Sequence, residues 1–113
     1  MKLSECNDIQ LKSFERRWAI REKKGHDYAT DADVLSNFKR MSGYASDFGI
    51  DVATPHGIAL FYALLKIDRL CNLMFRNKTK PENESIIDTV DDLKNYIDLM
   101  EECMIEQGIV ETL

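Results

Sequence analysis

One stretch constrains this chain more than any other: from Ile58 to Phe75 the residues are apolar on nearly every side of a helix. Thr54-Pro55 stands in front of it. The threonine hydroxyl can cap free backbone N–H groups, and proline's missing N–H is not needed at the first helical position. A helix apolar all round cannot have solvent against any large face. The spacing therefore predicts a helix from Pro55 to about Arg76, central to a bundle or shared between a bundle and a subunit interface. Its longest apolar run, Ile58 to Leu65, is far short of the roughly twenty residues that span a bilayer, so no membrane partner is expected.

Three further helices are read from period and punctuation. The first runs from about Ser4 to Lys24, with Leu11, Phe14 and Trp18 at three-and-four spacing and Gly25 as its stop. A polar connection, Gly25 to Asp31, follows. The second starts near Asp31 or Asp33, shows Val34, Phe38, Met41, Ala45 and Phe48, and ends at Gly49. After a loop at 77–83 containing Pro81, the fourth begins at Asn83 or Glu84. Its stripe is Ile86, Val90, Leu93, Ile97, Met100 and Met104, and Gly108 closes it. No alternating strand pattern, repeat or low-complexity segment interrupts the scheme. The expectation is an all-α four-helix bundle, oligomeric, with residues 1–113 as a single helical domain.

Composition narrows the class. Hydrophobic residues at 44% and charged residues at 31% fit a globular protein rather than a disordered one. Cys6, Cys71 and Cys103 lie far apart, an odd number without a C-x-x-C pair, which predicts reduced thiols in a cytoplasmic setting. The opening MKLSECNDIQ lacks the apolar stretch of a signal peptide. Net charge is −5, and from Glu82 onward only Lys94 offsets ten acids. Such a surface repels duplex nucleic acid.

Candidate chemistry lies mainly on the third helix. At about 100° per residue, Tyr62, Lys66, Arg69 and Leu73 fall within a narrow arc, with Asn72 and Arg76 on roughly the same side. Two cations beside aromatic and aliphatic neighbours suit an anionic ligand whose other part is flat and apolar, as in a nucleotide. Equally, Lys66 and Arg69 can pair with acids of the fourth helix or reach along their stems to water.

The fourth helix carries Glu84, Asp88, Asp91, Asp92 and Asp98, and carboxylates one and two turns apart can converge on a divalent cation such as Mg²⁺. Taking Ile86–Met104 as the core direction, however, Glu84, Asp88, Asp91 and Asn95 point nearly opposite, where a solvated face belongs. Asp92 and Tyr96 lie nearer the flank. In the 25–31 connection Tyr28 can stack on a base while His26 or Asp27 meets ribose or phosphate; a polar turn latched by Tyr28 is the plainer alternative. His26 and His56 have no ligand-spaced partner for zinc.

The ordered set Lys24-x-x-Asp27-Tyr28, Asn37-Phe38, Leu65-Lys66-x-x-Arg69-x-x-Asn72 and Glu84-Ser85-x-x-Asp88-Thr89-x-x-Asp92-Leu93-x-Asn95-Tyr96 resembles the small phage-borne nucleotide-modification-associated helical domains. These are similar in turn to MazG-like all-α nucleotide pyrophosphohydrolases. The match covers residues 20–100. It implies an oligomeric, nucleotide-handling helical domain of phage or prophage origin, working in the host cell cytoplasm. It implies that Lys66, Arg69, Asp88 and Asp92 face a ligand; with Lys24, His26, Asp27, Tyr28, Tyr62 and Tyr96 from the residue patterns above, they make up the expected ligand-binding set. MazG-like enzymes hold magnesium with Glu-Glu-x-x-Glu on one helix and Glu-x-x-Asp on the next. Here no Glu-Glu-x-x-Glu precedes the third helix, and Asp88-x-x-Asp91 is a partial counterpart of the second motif.

The leading expectation is therefore a nucleotide-binding protein without robust turnover, holding or sequestering a nucleotide or a nucleotide-derived signal and so countering host defence. A Mg²⁺-dependent pyrophosphohydrolase with Glu84, Asp88, Asp91 and Asp92 as metal ligands is the second. A helical oligomerisation module is the third.

Overall fold

The computed structural model describes residues 1–28, 33, 35–76 and 86–111, with backbone alone for 25–28. Helix accounts for 84% of it, in four α-helices with no strand among the described residues, so the chain is an all-α helical bundle. The helices are α1 (Leu3–Tyr28), α2 (Ser36–Phe48), α3 (Pro55–Cys71) and α4 (Ile86–Glu106). A π-helical turn, Asn72–Arg76, continues α3 without a break.

α3 is the hub: α4 packs along it, and α1 and α2 each touch it. It opens as its first residues dictate. The Thr54 hydroxyl accepts the Gly57 N–H at 3.1 Å and donates to the Asp51 carbonyl at 2.7 Å, with Pro55 at the first position. The turn closes so tightly that a β-carbon on Gly57 would collide with the Asp51 carbonyl oxygen. At the other ends, Gly49 and Gly108 take left-handed φ of 67° and 72°. In both caps the glycine N–H and the next N–H turn back onto the last helical turn, satisfying carbonyls that otherwise lack donors.

Two boundaries differ from the sequence reading. α1 does not stop at Gly25 but runs through to Tyr28. A mid-helix glycine costs only about 1 kcal/mol relative to alanine, and it ends a helix where its φ turns positive, as at Gly49 and Gly108. α2 begins at Ser36 rather than near Asp31 or Asp33. Asp33 instead builds the approach: its carboxylate accepts the Leu35 N–H at 3.0 Å and meets Lys39 Nζ at 2.7 Å.

The interior is less greasy than α3's sequence suggests. Its apolar members are Met41, Ala59, Ala63, Leu70 and Leu73, but the largest fully buried side chains are Arg69, Asn72, Thr89 and Asp68. Of the apolar stripe expected on α2, Met41 is buried while Phe38 and Phe48 are exposed. α1 contributes no buried residue; only Cys6 and Ser13 are half-buried along its described side chains. The radius of gyration, 18.1 Å, accordingly exceeds the roughly 13 Å of a compact chain this size. No described helix is long and apolar enough to cross a membrane.

Candidate functional site

The chemistry concentrates where α3 faces α4. On α3 the small residues Ala59 and Ala63 are buried. Beside them Tyr62 and Tyr96 meet with ring centroids 5.5 Å apart and planes tilted by 34°. One turn along, Lys66 Nζ lies 3.3 Å from Asp92 Oδ2. The Lys66 side chain keeps only 15% of its exposure and Asp92 40%, so the cation sits in the seam and the acid at its rim. Of the acids weighed for Lys66, Asp92 is the partner seen. Thr89, one turn before Leu93, is fully buried.

Beneath this seam lies an ionic knot that the sequence reading did not single out. Asp68, its side chain wholly buried, receives Arg40 of α2 as a two-pronged fork: Nε to Oδ1 at 2.7 Å and Nη2 to Oδ2 at 3.0 Å. From the π turn Arg76 reaches back with Nη2, donating to the Asp68 carbonyl at 2.7 Å and to Oδ1 at 3.0 Å. Hydrogen bonding to Asp68 pushes the Arg40 guanidinium above its already high ordinary value, so it stays charged at any working pH. A carboxylate this deep is costly to bury unless charged donors surround it, as Arg40 and Arg76 do here. The knot sets α2's rotation, which explains why Asn37 and Met41 face inward while Phe38 faces out.

Arg69, next in sequence, is also buried, at 1% exposure. Of the residues expected at a ligand, Tyr62, Lys66, Asp92 and Tyr96 thus come together, with Arg69 on the same helix below them. Asp88 is exposed one turn from Asp92, and Lys24 is exposed on α1. The side chains of His26, Asp27 and Tyr28 lie outside the described residues, as does Glu84. Asp91 and Asn95 are exposed, as the periodicity of α4 predicts, and Asp98 is exposed as well. Among the described residues no three His, Cys, Asp or Glu side chains gather as a metal site. His56 instead shares a hydrogen bond with Gln107 at 2.9 Å, tying the start of α3 to the end of α4.

The missed residues carried unequal signals. Asp68 is the single acid between Pro55 and Arg76; an acid amid apolar neighbours is seldom buried without a partner, and it was legible on that ground. Arg40, on another helix at no characteristic spacing, was not. No family model, curated protein or solved structure matches the chain.

Proposed function

We propose that the α3–α4 seam binds a phosphorylated, ring-bearing ligand of nucleotide type, and that the protein holds or sequesters it without robust turnover. One observation carries the reading: a largely buried Lys66, one turn from the Tyr62–Tyr96 pair, whose neighbour Asp92 sits half-open at the rim. A partly exposed ion pair contributes about 1 kcal/mol or less. A phosphate with more than one negative charge competes favourably with Asp92 for that ammonium, and a base stacked on tyrosine adds about 1–3 kcal/mol. The resemblance to phage nucleotide-handling domains supplies the biological part of the proposal: a phage-encoded holder of a host-defence nucleotide messenger.

The test is thermal denaturation with mono-, di-, tri- and cyclic nucleotides, with and without Mg²⁺. Wild type gains a saturable shift, equivalent to about 2.7 kcal/mol at a hundredfold excess over Kd. Lys66→Ala abolishes it, and the ligand recovered after heating is unchanged. Pyrophosphate or monophosphate in the recovered material points instead to Mg²⁺-dependent hydrolysis. A wild-type protein that no nucleotide stabilises ends the binding reading.

A second reading, a helical interaction module, draws on a different observation. α1 leaves Leu11, Phe14 and Trp18 between 48% and 58% exposed. The two roles are compatible, because that face is on α1 and not at the seam.

A further inference from the structure

α1 rests on its own chain through the side that carries Cys6 and Ser13. Leu11, Phe14 and Trp18 project roughly a third of a turn away, and among the described residues they remain about half exposed. The face is already ordered. Phe14 and Trp18 stack at 6.3 Å with planes 19° apart, and the Arg21 guanidinium sits 5.4 Å from the Trp18 ring centroid. Ordered rings lose less entropy on docking than free ones.

Spacing and charge say what fits there. Leu11, Phe14 and Trp18 follow the alternating three-and-four step of a coiled-coil seam, continued by Ser4 and Asn7 before them and Arg21 after. One edge of this seam carries Asp8, Glu15 and Glu22; the other carries Gln10, Arg17 and Lys24, and all six are exposed. When two such helices run parallel, opposite edges meet, so Arg17 of one copy lies beside Glu22 of the second and Gln10 beside Glu15. Run antiparallel, acidic edge meets acidic edge and basic meets basic. Edge charges of this kind set orientation in coiled coils.

Area agrees. Aromatic side chains bury about 150–250 Å² each. Half-exposed Phe14 and Trp18, with Leu11 and Leu3, therefore offer roughly 400 Å² per copy. Two faces together, with the stems of the edge residues along a helix about 39 Å long, approach the roughly 1,200 Å² at which specific interfaces begin. We infer that α1 pairs with α1 of a second copy of this chain as a short parallel two-stranded coiled coil, closed by Leu11, Phe14 and Trp18. This pairing does not depend on nucleotide binding at the seam.

Sedimentation equilibrium across a concentration series reads it directly. Wild type at tens of micromolar has twice the 13.1 kDa chain mass, and Phe14→Glu has the single mass with its helical circular dichroism intact. Trp18 is the single tryptophan, so its emission shifts to the red as wild type is diluted and is unmoved in Phe14→Glu. Arg17→Glu and Glu22→Arg each self-associate several-fold more weakly, and mixing the two restores dimer. In a Cys6→Ser background, Ser4→Cys forms a disulfide-linked dimer on mild oxidation, because parallel helices set the two Ser4 positions level. A wild type of single mass at every concentration overturns the inference, as does a dimer that survives Phe14→Glu. Failure of the Ser4→Cys pair to link overturns the parallel orientation.

Discussion

At the centre of the molecule the largest fully buried side chains are Arg69, Asn72, Thr89 and Asp68, while along α1 Leu11, Phe14 and Trp18 stand about half in water. Burial thus runs against polarity in both regions. The centre tolerates charge because guanidiniums delivered by α2 and the π turn meet both carboxylate oxygens of Asp68. The outer helix tolerates exposed rings because they are stacked on one another and capped by Arg21. The difference teaches where specificity resides: charge pairing fixes how α2, α3 and the π turn meet, while the apolar surface that normally drives association is left on α1.

The largest effect should come from breaking the knot. Asp68→Ala leaves Arg40 and Arg76 without their shared carboxylate. Because both arginines are a quarter or more exposed and can turn to water, the loss should be about 3 kcal/mol, at the low end for a broken buried pair. Urea denaturation at a fixed protein concentration reads it, and a loss below 1 kcal/mol would mean the knot is incidental. Next comes Gly57→Ala, whose β-carbon meets the Asp51 carbonyl, at about 2 kcal/mol by the same measurement. Thr54→Ala, removing the cap alone, should cost about 1 kcal/mol.

A smaller effect sits at the start of α2. Lys39 and the Leu35 N–H hold the Asp33 carboxyl below its ordinary value of 3.8. A depressed carboxyl stabilises the fold at pH above its unfolded value, and the contribution fades as pH falls through the folded one. Melting temperatures of wild type and Asp33→Asn should therefore differ slightly at neutral pH and converge in acid. The smallest effect is expected on α1: Phe14→Ala, measured at nanomolar protein, should change unfolding free energy by no more than about 0.5 kcal/mol. A loss of 2 kcal/mol there would show that α1 belongs to the core and erase the contrast.

Much of the frame was legible in the residues. Thr54-Pro55, Gly49 and Gly108 act through local backbone chemistry, which neighbours along the chain decide. The arc of Tyr62, Lys66 and Arg69 followed from helical geometry, and Tyr96 and Asp92 are the residues that meet it. Illegible were the features that depend on another helix. The Ile86–Met104 stripe gave α4's core direction, yet the side facing α3 is turned toward Thr89, Asp92 and Tyr96, drawn there by Lys66 and Tyr62. Phe38 looked like core until Arg40, two residues on and so on the opposite side of the helix, was claimed by Asp68. Gly25 looked like a stop because glycine's presence is visible in a sequence and its φ is not.

Amide hydrogen exchange followed at nanomolar and at tens-of-micromolar protein tests the two-region account most directly, since protection reports local opening free energy. The account predicts that amides of α3 around Asp68 are the slowest in the molecule at both concentrations, while those of α1 exchange quickly when dilute and slow markedly when concentrated. Exchange in α1 that is as slow as in α3 at both concentrations, or exchange around Asp68 as fast as in dilute α1, would contradict it.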